Sequence, residues 1–203
     1  MPVDLFPANP DLNLLPCDGI VNDYGRVLST LEADQFFSLL MHCVQWRNDE
    51  VVMYGKRIVT ARKVAWYGDA GCSYTYSGTT KQAIPWFPEL RALKDRIETI
   101  LGCTFNSCLA NLYENGRQGM AWHSDDEKSL GRHNTIASLS LGAERKFSFK
   151  HKTQPLTQSL ILPHGGLLVM RGATQAHWRH SLPPSTRITT PRINLTFRTI
   201  LSQ

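Results

Sequence analysis

The chain has 203 residues, of which 42% are hydrophobic and 19% charged, and it carries a net charge of +5. That balance excludes a disordered chain, and the length suits one domain with a sizeable core. The mild basic excess is compatible with an anionic partner such as nucleic acid.

The five cysteines show no CxxC spacing and no even framework, so they read as reduced thiols of an intracellular protein. That protein would be cytoplasmic in a bacterium and nuclear in a eukaryote. The first sixteen residues lack the basic-then-apolar order of a secretion signal. No stretch reaches the roughly 18 apolar residues of a membrane span, so no membrane partner is expected.

Residues 1 to about 28 are weakly periodic and rich in Pro, Asp and Asn, and they read as an arm laid over the domain. A helix starts at "STLEADQFFSLLMHCVQW", where Ser29 and Glu32 have capping-box spacing and Phe36, Phe37, Leu40 and Val44 share a face. Residues 50–77 look like short strands around a Gly turn. A second helix fits "FPELRALKDRIETILG", with Leu90, Leu93, Ile97, Ile100 and Leu101 in one stripe and Gly102 as its stop. From residue 104 the period becomes two. "TFNSCLANLY", "NTIASLSLG", "RKFSFKH", "SLILP", "GLLVM", "QAHWRHSL" and "RINLTFRTI" read as strands. The fold class is therefore mainly β, a sandwich or barrel with flanking helices.

The last strand carries the most information. Arg192, Asn194, Thr196 and Arg198 share one face, and Ile193, Leu195 and Phe197 the other. A polar face in water would be the ordinary outcome. Asn111 and Tyr113, also two apart, share a face in the same way and are useful donors beside an anion. If these faces meet inside, two guanidinium groups in one pocket require an anionic partner, and a small dicarboxylate suits them.

His123 and Asp125 in "WHSDDE" point to one side if their segment is extended. "QAHWRH" supplies His177 and His180, three apart, of which only one can join them. Two His and one carboxylate with open positions is the facial triad of non-haem Fe(II) oxygenases.

"NLYENG", "HSD", "HWRH" and "PRINLTFR", in that order, resemble the AlkB family of Fe(II)/2-oxoglutarate-dependent dioxygenases. "YGDAG", "YTYSG" and "IASLSLGAERKFSFKHK" extend the resemblance over roughly residues 19–200. It implies a double-stranded β-helix (jelly-roll) core with an N-terminal nucleotide-recognition lid. It also implies a single domain over 1–203, with the arm at 1–28, the lid at about 50–80 and the core at about 104–200. The resemblance makes His123, Asp125 and His180 the iron ligands. Arg192 then grips the distal carboxylate of 2-oxoglutarate, Arg198 lies near the carboxylate beside the keto group, and Asn111, Tyr113 and Asn194 complete the contacts.

The implied activity is oxidative demethylation of N-alkylated bases such as 1-methyladenine and 3-methylcytosine. It consumes O2 and 2-oxoglutarate and releases succinate, CO2 and formaldehyde. DNA is the expected partner, with RNA as a second candidate, for a monomeric enzyme that flips its base or takes single strands.

The His123 ring and Tyr76 offer stacking faces, and Asp126 and Glu127 could meet the base edge. Lys56, Arg57, Arg62 and Lys63 fit phosphate contacts. Tyr54 occupies the place of the hydrophobic finger of duplex-acting relatives. "AWYG", "TFNSCLANLY" and "WHSDDEKSLGR" are more similar to the single-strand-acting ones. Two alternatives stay open, namely a dioxygenase with a non-nucleic-acid substrate and a catalytically inactive nucleic-acid-binding module.

Overall fold

The computed structural model describes residues 8–53, 56–76, 79–131 and 133–201, with side chains described outside 51–58 and 74–81. In chain order its elements are β1 (Ile20–Arg26), α1 (Thr30–Cys43), β2 (Arg47–Met53), β3 (Lys56–Gly68), β4 (Ser73–Tyr76), β5 (Thr79–Gln82), β6 (Ile84–Pro85), α2 (Pro88–Leu101), β7 (Ser107–Tyr113), β8 (Met120–His123), β9 (Ile136–Gly142), β10 (Arg145–His151), β11 (Thr157–Leu162), β12 (Gly166–Arg171), α3 (Thr174–His177), β13 (Trp178–Leu182) and β14 (Arg192–Arg198). The larger sheet runs β1-β12-β9-β14-β7-β3-β2 with β6 beside β3, the smaller runs β11-β10-β13-β8, and β4 pairs with β5. The two main sheets enclose a cavity between them, the arrangement of a jelly roll with flanking helices.

Both long helices form where the sequence signals place them. Ser29 and Glu32 complete a reciprocal capping box at the start of α1. The helix stops at Cys43 because Val44 is already extended, so the apolar run to Trp46 is not all helical. α2 opens on Pro88 and closes on Gly102 at φ 62, the left-handed conformation that favours glycine. Leu40, Leu90, Leu93 and Ile97 of these helices bury against Ala65, Tyr67, Ala110, Leu139 and Leu195 of the larger sheet. Among the described residues no helix is long and apolar enough to cross a membrane.

Two expectations are corrected. The expected N-terminal arm contains β1, which pairs antiparallel with β12 along the sheet edge. Its burial alternates poorly, as suits an edge strand, so periodicity could not reveal it. The segment "QAHWRHSL" is not one strand, because Thr174–His177 form the helical turn α3 before β13 begins.

β14 lies between β9 and β7 at the centre of the larger sheet. Its Ile193, Leu195 and Phe197 join the helix-covered core. Arg192, Asn194 and Thr196 on the opposite face are also buried, so the water-facing alternative is excluded.

Gly142 fixes one end of this arrangement, opposite Arg192 in register. It has φ +85, and a Cβ there would meet Pro191 O at 2.5 Å and Phe37 Cε2 at 2.6 Å. Gly142→Ala is therefore predicted to lower stability by about 2 kcal/mol, read as a lower urea midpoint; an unchanged midpoint would contradict this role.

Candidate metal centre and anion pocket

His123 on β8 and His180 on β13 stand opposite each other in register. Their ring centroids are 4.2 Å apart. Asp125 lies just past β8, and the ligand atoms of His123, Asp125 and His180 all lie within 4.8 Å of one another. His123 Nδ1 is 2.9 Å from the Ala121 carbonyl. A proton donated there leaves the Nε2 lone pair available. The Asp125 backbone N–H donates to Gln175 Oε1 at 2.9 Å, and Asp125 Oδ2 accepts from Arg198 Nη2 at 2.8 Å. Oδ1 is left facing His123 Nε2 at 3.7 Å.

The protonation states suit a divalent cation. Burial pushes the His180 pKa down to about 3, with Asp125 opposing the shift, so the ring is neutral. Burial alone would raise the Asp125 carboxyl, but Arg198 and the two histidines more than offset it and hold the pKa below the ordinary aspartate value. Two imidazoles and one carboxylate form a donor set with open coordination positions. Of the two histidine candidates it is His180 that converges on this site. His177 ends α3, exposed and stacked at 6.2 Å on His151.

A cavity of about 270 Å³ joins the triad to Arg192, and Asn111, Tyr113, Asn194 and Arg198 also line it. Arg192 is 2% exposed. It donates to Ser140 Oγ at 2.9 Å and lies 5.5 Å from the Tyr113 ring centroid. Its Nε has no hydrogen-bond acceptor, nor does Nε of Arg198. No carboxylate among the described residues pairs with Arg192. Burial pushes its pKa down to about 10, Tyr113 opposing and Arg145 adding to the shift. A buried cation with spare donors and no acid beside it is what an anionic ligand would complete.

The remaining predicted residues divide. Glu127 lines the cavity, whereas Asp126 turns outward to Lys152 Nζ at 3.4 Å with its side chain 63% exposed. Arg62, expected on phosphates, instead faces the cavity. Its Nη1 donates to Asn111 Oδ1 at 3.1 Å, and Nη2 pairs with Asp49. The stretch 53–63 has no acid of its own, and β2 supplies one across the hairpin. Asn194 spends its amide on Ser138 Oγ and the Leu139 carbonyl, at 2.8 and 3.2 Å. Tyr54 lies outside the described residues, as do the side chains of Lys56, Arg57 and Tyr76.

Sequence reasoning missed two residues. Arg145, 1% exposed, reaches the carbonyls of Gln118 and Pro183 at 2.9 and 3.0 Å and ties together two loops. Its alternation with Phe147 and Phe149 in "RKFSFKH" marked it as inward-facing. Gln175, which fixes Asp125, gave no such signal.

Comparison with known proteins adds the following. The family model described as the 2OG-Fe(II) oxygenase superfamily matches residues 24–198. DNA oxidative demethylase ALKBH2 of Mus musculus is 40% identical over 204 residues, covering 95% of this chain and 85% of that protein. Alpha-ketoglutarate-dependent dioxygenase alkB homolog 3 of Homo sapiens is 43% identical over 187 residues, covering 87% and 65%. The solved structure of OsALKBH1 superposes with a TM-score of 0.58 at 15% identity, over 91% of this chain and 98% of that one, a likeness of fold.

The titration directions predict a pH dependence. Below its ordinary value of 6.5, His180 takes up a proton in the unfolded chain that the folded chain refuses until about 3. Asp125, depressed in the fold, acts in the same direction. Stability of the metal-free protein is thus lost as pH falls through this window. Its urea midpoint should drop between about pH 7 and about pH 4.5, and His180→Gln should flatten that drop. An equal slope in the variant would contradict the assignment.

Proposed function

The chain belongs to the 2OG-Fe(II) oxygenase superfamily and, within it, to the AlkB family, and from that premise we propose how its own residues carry the reaction. It is an Fe(II)- and 2-oxoglutarate-dependent dioxygenase that removes alkyl groups from DNA bases by oxidation. When bound, Fe(II) with 2-oxoglutarate and O2 supplies the oxidation that ends in succinate, CO2, formaldehyde and the restored base.

His123, Asp125 and His180 hold the metal, and the neutral His180 ring and ionised Asp125 carboxylate need no proton removed at neutral pH. Gln175 and Arg198 fix Asp125 from its backbone and from Oδ2, leaving Oδ1 for the metal. Arg192, with Tyr113 across its guanidinium, takes the distal carboxylate of 2-oxoglutarate. Arg198 serves the carboxylate beside the keto group as well as Asp125. Asn111 offers its amide nitrogen, because its oxygen is held by Arg62. Asn194 acts mainly by holding β14 to β9. The observation that carries this reading is the coexistence, in one 270 Å³ cavity, of an open triad and a buried arginine without an acid.

Glu127 on the cavity wall meets the polar edge of the flipped base, and the half-exposed His123 ring offers it a face. Asp126, turned outward, has no part in this. Residues 1–203 work as one monomeric domain, with about 50–80 as the lid over the base. Lys56 contacts phosphate, Tyr76 closes over the base, and Tyr54 fills the gap in a duplex. RNA with the same lesions is a second substrate.

The test is release of formaldehyde and succinate from DNA and RNA oligonucleotides bearing 1-methyladenine or 3-methylcytosine, single- and double-stranded. Wild type should form both products in equal amounts from DNA, and His180→Ala should form neither. Full turnover by His180→Ala with added Fe(II) would sink the triad. Tyr54→Ala should lower the ratio of duplex to single-strand repair, and an unchanged ratio removes the finger.

A further inference from the structure

Arg62 reaches the cavity through an irregularity of the larger sheet. Along β2 and β3, Glu50 stands opposite Val59 and Asn48 opposite Lys63. Asp49 alone therefore faces three residues, Thr60, Ala61 and Arg62. A bulge of this kind bends its strand and re-aims a side chain. Two carbonyls of the bulge find partners outside the ladder. Asn48 Nδ2 donates to the Thr60 carbonyl at 3.1 Å, and Thr60 Oγ1 donates to the Arg62 carbonyl at 3.4 Å.

Past the bulge, β3 runs in register with β7, and Val64 stands opposite Asn111. Arg62, two residues before Val64, shares its face, as Tyr113 shares that of Asn111. Arg62, Asn111 and Tyr113 all line the metal cavity.

There the guanidinium is held from β2, β7 and β8. Its Nη2 pairs with Asp49, while Nη1 donates to Asn111 Oδ1 at 3.1 Å and lies 3.3 Å from Met120 Sδ. The Arg62 and Asp49 side chains are only 11% and 16% exposed, so the pair is poorly screened. Burial alone would lower the Arg62 pKa, but Tyr113 and Asp49 more than offset it and keep the group charged. Asp49 itself does not line the cavity.

The consequence falls on Asn111. An amide has an oxygen that accepts and a nitrogen that donates, and half a turn of the side chain exchanges them. A guanidinium only donates. The end of Asn111 that meets Arg62 must therefore be its oxygen, which leaves the nitrogen as the donor for a ligand. A carboxylate or keto oxygen needs that donor. The reversed amide would set an acceptor against it and N–H against N–H at Arg62. Arg62 thus selects one of two orientations that the Asn111 side chain alone does not distinguish. Because Asp49 neutralises the guanidinium, its direct pull on a distant carboxylate is secondary to this.

We propose that Arg62 is a positioning residue for 2-oxoglutarate. Aimed by the bulge and by Asp49, it fixes Asn111 with its amide nitrogen toward the co-substrate. The β2–β3 hairpin thereby takes part in the co-substrate site. The proposal rests on the reading that 2-oxoglutarate fills this cavity.

The experiment is a double-mutant cycle on Arg62 and Asn111. It is read as 2-oxoglutarate affinity by calorimetric titration into the anaerobic Fe(II)-loaded protein. Arg62→Met and Asn111→Ala should each weaken binding about tenfold, the scale of one hydrogen bond to a charged group. The double variant should bind no more weakly than Asn111→Ala, and Fe(II) affinity should be unchanged throughout. Losses that multiply in the double variant, or wild-type affinity in Arg62→Met, would overturn the proposal. A matching loss of Fe(II) affinity would mark a general loss of structure and overturn it too.

Should Arg62→Met not fold, Asp49→Asn decides the matter from outside the cavity. It should weaken 2-oxoglutarate binding about threefold, within the range for a partly screened pair, and lose nothing further on Asn111→Ala. Wild-type affinity in Asp49→Asn, or a loss undiminished on Asn111→Ala, would overturn the proposal. Wild-type protein that takes up no 2-oxoglutarate sinks the function reading, whereas uptake with an uncoupled cycle sinks only the role of Arg62.

Discussion

A central strand buried on both faces must satisfy two solvents at once, and β14 is that strand. Its apolar face closes the core beneath the two long helices, and its polar face opens into the space between the sheets. Arg192 is the sharpest consequence, a guanidinium 2% exposed with a donor unused and no acid among the described residues to neutralise it. Burial of such a cation is costly unless an anion arrives. The fold thus holds in place a group whose partner must come from outside the chain, and 2-oxoglutarate is the partner we propose.

The same logic runs along the cavity to the metal centre. Arg198 neutralises one oxygen of Asp125, Gln175 holds its backbone, and burial keeps the His180 ring uncharged. Charge is therefore arranged in order along one wall, from a cation awaiting a carboxylate to a carboxylate awaiting a cation. Arg145, close enough to Arg192 to act on its charge, draws carbonyls of two loops onto one guanidinium.

Much of this was legible in the sequence because it obeys short periods. The alternation in "RINLTFR" placed Arg192 and Asn194 on one face and the core residues on the other, and Gly102 marked the end of α2. The choice of His180 over His177 came from resemblance, since spacing alone left it open. What stayed hidden depends on distant partners. Arg62 looked like a phosphate contact until Asp49 of the neighbouring strand drew it inward. Gln175 lies in a helical turn that interrupts an apparently extended segment. β1 escaped notice because an edge strand with one shielded side need not alternate. Outward Asp126 and inward Asp125 are neighbours in sequence, and only the hydrogen bonds of the folded chain tell them apart.

The central claim is that the fold keeps Arg192 buried and without an acid so that 2-oxoglutarate completes it. Calorimetric titration of 2-oxoglutarate into the anaerobic Fe(II)-loaded protein tests this most directly, comparing wild type with Arg192→Met. The account predicts at least ~30-fold weaker 2-oxoglutarate binding in the variant, the scale for losing one partner of a buried hydrogen-bonded charge pair, with Fe(II) affinity unchanged. Equal 2-oxoglutarate affinity in the two proteins would contradict it.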